Sequence, residues 1–295
     1  MAVQTAEANG IRLAYETFGD RESGRPLLLV HGLGTQMLEW HEDFCRALVE
    51  RGFFVVRFDN RDIGLSTHLS DAPHPDLLAA LSGDFSSASY RLEDMADDAA
   101  GLLDALEVPA AHVVGASMGG MIAQTLAIRH PDRVLTLTSI MSTPAPQIGA
   151  PTQAALGVLM APPATSREEA VKRKLWAYGV LGSPGHPLDE EWYAQVAGEA
   201  YDRAYDPVGV GRQLLAVNAS GDRTEGLRQL QVPTLVVHGE DDQLVQVEGG
   251  RATAAAVPDA ELLVIPGMGH DLPRGLWPQV VDAIARLAER APAVR

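Results

Sequence analysis

One cysteine, Cys45, stands in 295 residues. No intrachain disulfide can form, and the thiol is expected to pack as a small hydrophobe on a helix. Bases are also scarce: 23 Lys and Arg face 39 Asp and Glu, a formal charge of −16. Such an acidic surface repels phosphate backbones and anionic lipid, so neither nucleic acid nor a membrane surface is an expected partner. No apolar run approaches the ~20 residues that span a bilayer. No basic segment followed by an apolar stretch opens the chain, so no signal peptide is expected. The chain reads as soluble and cytoplasmic. Metal-ligand spacing is missing too: the nine histidines show no paired pattern and no His-Glu-x-x-His. Neither a metal nor a cofactor is therefore expected, and a monomer and a homodimer are equally compatible with the sequence.

Apolar residues make up 46% of the chain, enough to bury a large core. They come in short continuous runs, at 26–32, 52–62, 111–117, 134–141, 233–239 and 261–267. Continuous rather than alternating apolar character predicts strands covered on both faces, as in a parallel sheet. Helical periodicity falls between the runs. Leu92, Met95, Ala99, Leu102, Leu103 and Leu106 share a face, a second helix should run from Ser117 to about His130, and a third lies at 276–290. Alternating strands and helices predict a doubly wound α/β sheet. Asn9-Gly10 between two extended stretches predicts a leading antiparallel hairpin. From about Pro144 to Arg228 the strand runs stop and helical segments follow, one opened by a Ser166…Glu169 capping box. This divides the chain into a core of 1–143 and 229–290, a helical cap of 144–228 and a disordered tail of 291–295.

The stretch "HVVGASMGGMIAQ" carries the chemistry. It places Gly115-Ala116-Ser117-Met118-Gly119 after an apolar strand and before a helix, the context that Gly-x-Ser-x-Gly requires. Glycines two before and two after the serine permit a turn too sharp for side chains, and Oγ projects from the strand end. The Met118 amide is left free for a developing oxyanion. A serine hydroxyl needs a base; His270 follows the last apolar strand in the Gly-rich loop "IPGMGHDLP". A carboxylate must orient that imidazole, and the acids Glu240, Asp241 and Asp242 lie between serine and histidine in the chain. A second oxyanion donor is expected from the loop after the third strand, at the amide of Leu33. Met37, Trp40, Met141 and Trp176 are candidates for a substrate pocket or for the core. Arg61 and Asp62 are expected to pair with each other and brace their loop.

With these residues in place the chain resembles a serine hydrolase of the α/β-hydrolase fold over about Asn9 to Arg290. The likeness rests on His31-Gly32, "GASMGG", the Gly-x-x-Asp of "GEDD" and Gly269-His270. A closer likeness is to the aclacinomycin methylesterase group, which the stretches "RFDNRDIGLST" and "IPGMGHDLP" and the region of Trp40 are similar to. The family's Gly-x-x-Asp count implies that Asp242 is the orienting carboxylate, which leaves Glu240 and Asp241 on a solvated turn. A proline commonly follows that Asp in the family; here Gln243 stands there, which should loosen the turn.

The resemblance implies a carboxylic-ester hydrolase working by two-step acyl transfer on Ser117, Asp242 and His270, without a cofactor. The mostly apolar cap implies a medium-sized, uncharged ester. Two other chemistries share such a triad, cofactor-free perhydrolysis of the haloperoxidase type and carbon–carbon bond hydrolysis. A non-catalytic small-ligand sensor on the same scaffold is the reading from another class.

Overall fold

The computed structural model describes residues 2–291, so all of the expected tail at 291–295 except Ala291 lies outside the described residues. Among the described residues, eight strands form one sheet. They are β1 Gln4–Ala8, β2 Ile11–Phe18, β3 Arg25–Val30, β4 Phe53–Phe58, β5 Ala111–Ala116, β6 Val134–Ile140, β7 Thr234–Gly239 and β8 Glu261–Ile265, in the order β1-β2-β4-β3-β5-β6-β7-β8. β1 pairs with β2, and β2 with β4, antiparallel; every other pairing is parallel. Asn9 and Gly10 both take positive φ, 49° and 77°, which gives the two-residue hairpin turn its twist.

The parallel strands read as continuous apolar runs because both faces are covered. On β3, Leu28 and Val30 point into one core with Leu92, Met95 and Leu102 of α3 (Leu92–Ala105) and Ile122 and Leu126 of α4 (Met118–Arg129). Leu27 and Leu29 point into the other, with Phe44, Cys45 and Leu48 of α1 (Glu42–Glu50) and Val280 and Ile284 of α11 (Trp277–Ala288). Each fully buried Leu contributes roughly 1.5–3 kcal/mol relative to exposure. Burial pushes the Cys45 thiol up to about 12, so it stays protonated and unreactive.

The described residues between Ile140 and Thr234 form five helices and no strand: α5 Gln153–Leu159, α6 Arg167–Leu181, α7 Glu190–Arg203, α8 Pro207–Ala219 and α9 Thr224–Arg228. Two further helices lie elsewhere, α2 Leu77–Leu81 before α3 and α10 Glu248–Ala256 between the last two strands. The periodicity did not predict α2, α5, α9 or α10; Gly249 and Gly250 in the first turn of α10 hide its helical character. At the start of α6, Ser166 Oγ accepts from the Glu169 amide at 3.2 Å. Glu169 reaches past Ser166 to the amide and hydroxyl of Thr165, at 2.7 and 2.6 Å. Among the described residues, no helix is long and apolar enough to cross a membrane.

The loop after β4 docks the helical insertion, and here the expected Arg61–Asp62 pair is corrected. Arg61 turns to Asp98 of α3, with bonds of 2.6 and 2.7 Å. Asp62, held at φ 65°, takes a two-pronged contact from Arg212 of α8 at 2.8 and 2.8 Å. Adjacent residues in such a turn project apart, and each buried charge finds a partner supplied by another element. His68 and Asp206 complete this cluster. Asp62, His68 and Asp206 are the group that could hold a metal among the described residues. The Arg212 guanidinium lies against both carboxylates, 2.8 Å from Asp62 and 3.6 Å from Asp206, and already supplies the positive charge.

His68 makes this docking pH-dependent. Nδ1 faces Asp206 Oδ2 at 2.7 Å and Nε2 faces the Gly64 carbonyl at 2.9 Å. Burial opposes the charged ring, but the carbonyl and the carboxylate outweigh it and raise the pKa above its ordinary 6.5. A group that binds its proton more tightly when folded contributes fully below its unfolded pKa and loses that contribution as pH rises through the folded value. His68→Gln should therefore melt about 2 °C below the wild type at pH 6, a modest effect because the pair is partly exposed. The gap should close by pH 9. Melting curves across this range check it, and a gap that widens with pH contradicts it.

Candidate active site

Ser117 caps the N-terminus of α4 at φ 58° and ψ −123°, a backbone strained for a residue with a Cβ. The glycines explain how the turn is reached. A Cβ on Gly115 would collide with the Gly119 backbone, and one on Gly119 with the Val30 carbonyl. The Ser117 amide is tied to Ile140 O at the end of β6, at 2.9 Å. This leaves the side chain half-buried at the carboxyl edge of the sheet, where β3, β5, β7 and β8 also end.

His270 and Asp242 converge on it. Ser117 Oγ lies 2.9 Å from His270 Nε2, and His270 Nδ1 lies 2.7 Å from Asp242 Oδ2. Asp242 is 4% exposed and His270 8%, so the relay is shielded from water. The other carboxylate oxygen of Asp242 accepts from the amides of Leu244 and Val245, at 2.8 and 2.9 Å. Those two bonds hold the carboxyl group on one rotamer.

Gln243 has not left the turn loose. Its carbonyl accepts from the Thr152 amide at 2.9 Å, which anchors the turn to the start of α5. His238, fully buried on β7, donates from Nε2 to the Val245 carbonyl at 2.7 Å. Burial lowers its pKa and keeps the ring neutral. The expectation of a merely solvated turn holds for the Glu240 side chain, which is exposed. Asp241 is exposed as well, and its carboxylate also accepts from the Gly267 amide at 2.9 Å while its own amide donates to Met268 O at 3.0 Å. Asp241 braces the loop that carries His270 and has no contact with the imidazole.

The loop after β3 faces the serine. Its amides can be assigned one by one. Gly32 N–H donates to His31 Nδ1 at 2.7 Å, Gly34 N–H to Gln213 Oε1 at 2.9 Å, and Thr35 N–H to Gly32 O at 3.3 Å. Among the described residues, no group accepts from Leu33 N–H or Met118 N–H. His31 must be neutral to accept at Nδ1. Burial pushes its pKa down to about 4, with Lys174 and His270 adding to the effect against the opposing Glu39. Gln213 and Asn60 shape this loop and escaped the sequence reading. Gln213 also donates to Arg61 O at 2.8 Å, and Asn60 donates to His31 O at 3.0 Å. No local signal marks Gln213, because it reaches the loop from α8, 179 residues further along the chain.

The four candidate pocket residues do not gather in one place. Trp40 and Met141 are buried in the core cluster beneath the sheet edge, Trp40 stacked on Phe44 with ring centroids 5.6 Å apart. Met37 is fully buried, with its amide on Asp59 Oδ1 at 2.8 Å. Trp176 on α6 is 48% exposed. Two cavities open at the seam between insertion and core, and neither is lined by Ser117 or His270. One, of about 410 Å³, lies between α1 and α7 and is lined mainly by charged residues. The other, of about 330 Å³, is bordered by Leu188, Trp192, Tyr193, Asp271, Leu272 and Trp277.

A sharp serine turn, a buried carboxylate–imidazole pair beside it and, among the described residues, two amides without an acceptor at the edge of a mostly parallel sheet are the geometry a serine hydrolase requires. The chain belongs to the family described as alpha/beta hydrolase fold, which matches residues 25–273. It is 29% identical to the rhodomycin D methylesterase DauP of Streptomyces sp. (strain C5), over 93% of this chain and 94% of that protein. It is 28% identical to the non-heme chloroperoxidase CPO-A1 of Kitasatospora aureofaciens, over 90% of each. Among solved structures, the enol-lactonase of Burkholderia xenovorans LB400 superimposes with a TM-score of 0.75 at 23% identity, over 97% of this chain and 100% of that one. That likeness concerns the fold.

Proposed function

We propose that this protein is a carboxylic-ester hydrolase that acts by two-step acyl transfer. The observation that carries the reading is the unbroken line from Asp242 Oδ2 through His270 to Ser117 Oγ, with steps of 2.7 and 2.9 Å. Nε2 of His270 takes the hydroxyl proton as Oγ attacks the ester carbonyl. Asp242 keeps Nδ1 protonated and stabilises the imidazolium. The amides of Leu33 and Met118 receive the oxyanion. His270 then protonates the leaving alcohol, and water repeats the sequence to release the acid. The methylesterase relative supports a methyl ester as substrate. A mostly apolar, medium-sized body for that ester rests on the composition of the helical insertion, which is mostly apolar with scattered charges.

The test is a panel of methyl and p-nitrophenyl esters of graded acyl length, with acid and alcohol release measured together. Stoichiometric release with saturation on medium chains is the expected result. The chloroperoxidase relative supports perhydrolysis as the second reading. Bromination of an added acceptor in acetate, peroxide and bromide, where the peracid formed oxidises the bromide, running faster than ester cleavage under matched conditions, would overturn the first reading in favour of the second.

A further inference from the structure

The loop that carries His270 is held by the helical insertion as much as by the core. The segment from Leu181 to Gly185, at the end of α6, runs against Gly267 to Asp271. His270 N–H donates to Leu181 O at 2.7 Å, Gly269 N–H to Ser183 Oγ at 2.9 Å, and Gly185 N–H to Gly267 O at 2.9 Å. The Ser183 hydroxyl donates in turn to Asp271 Oδ1. The two backbones lie too close for side chains between them. A Cβ on Gly267 would stand 2.9 Å from the Gly185 Cα, and one on Gly269 would stand 2.6 Å from Leu181 O. Ser183 and Asp271 are 9% and 6% exposed, so water is a poor substitute for these bonds.

The core and the insertion share the work unequally. Core groups take the amides of Gly267 and Met268, through Asp241 and Ile265. The amides of Gly269 and His270 itself go to the insertion alone. The Cα of His270, and hence the place of its imidazole, is therefore set by Leu181 and Ser183. Ser183 has a single hydroxyl proton, committed to Asp271, and its lone pair receives Gly269 N–H. Its removal leaves the buried Gly269 N–H without its acceptor and takes the hydroxyl donor from the buried Asp271 carboxylate, on either side of the catalytic base.

We propose that Ser183 is a positioning residue for His270, and that the base is competent only while the Leu181–Gly185 segment is docked. This deepens the triad reading and rests on it. Ser183→Ala should lower kcat by about tenfold to a hundredfold, the loss expected when a reacting group shifts by about 1 Å. KM should stay within about threefold, because the substrate's own contacts are untouched. The downfield Nδ1–H proton resonance of His270, seen by NMR without any substrate, should broaden or shift. Ser183→Thr should restore both readouts by returning the hydroxyl. Ser183→Cys, of similar volume but with a weak donor and acceptor, should fall between and serves as the decisive variant if the alanine protein does not fold. Wild-type kcat with an unmoved His270 resonance in the alanine or cysteine variant overturns the proposal. So does a loss of rate that only tracks the unfolded fraction. Ser117→Ala run alongside separates the two failures. If turnover survives that substitution, the esterase reading fails while the NMR signal still judges Ser183. If it does not, an unaffected Ser183→Ala counts against Ser183 alone.

Discussion

Ser117→Ala should eliminate ester turnover, with kcat falling by about 10⁶-fold, as the loss of a nucleophile does in serine hydrolases built on this relay. The geometry leaves no substitute. Ser117 Oγ stands 2.9 Å from His270 Nε2, and the sulfur of Cys45 is buried in the core with its pKa pushed up to about 12. Alanine keeps the Cβ and the same strained φ of 58°, so the fold should survive and the loss should be chemical. Two measurements check this. A p-nitrophenyl ester should give a burst in the wild type and none in the variant. A fluorophosphonate should add its mass to the wild type at the peptide bearing Ser117 and leave the variant unlabelled. A variant that retained more than about a thousandth of the rate would place the nucleophile elsewhere.

Asp242→Asn should lower kcat by about 10⁴-fold. Oδ1 of an asparagine would still accept from Leu244 and Val245, so the turn should remain in place. The difference falls at the other atom. Oδ2 of Asp242 accepts from His270 Nδ1 at 2.7 Å, whereas an amide nitrogen can only donate there. The imidazole would then carry its proton on Nε2 and could not take one from Ser117. Asp241→Asn is the matched control. Its amide oxygen can still accept from Gly267 N–H, so kcat should stay within about threefold. Asp241→Ala removes that brace of the histidine loop and should cost more than Asp241→Asn. Steady-state kinetics on the three variants decide the matter: equal losses in both asparagine variants would mean that the turn does not separate the two acids by role.

Much of the site was legible because its chemistry is written over short stretches of chain. The elbow needs Gly115, Ser117 and Gly119 within five residues, and a sharp turn between an apolar strand and a helix looks the same whatever surrounds it. The hairpin at Asn9-Gly10 and the helix stopped by Pro131 are local in the same sense. His270 was readable from its Gly-rich loop after the last strand. The choice of Asp242 among three acids needed the family's spacing, since composition does not distinguish neighbouring carboxylates.

Other features depend on what the fold brings across the chain. Arg61 and Asp62 are neighbours of opposite charge, and nothing local forbids their pairing. Their partners, Asp98 and Arg212, arrive from 37 and 150 residues away. Gln213 shapes the loop bearing the Leu33 amide from 179 residues away, and Ser183 meets Asp271 from 88. Trp40 and Met141 looked equally fit for a pocket or a core, and only the packing of α1 and α11 on the sheet assigned them to the core. The sequence by itself determined the strand ends, the serine turn and the order of serine, acid and histidine, because turn sterics and hydrophobic period belong to contiguous residues. The tertiary structure alone decided which charges pair, which amides stay free and which segment holds the histidine, because those depend on distances of 3 to 4 Å between residues far apart in the chain.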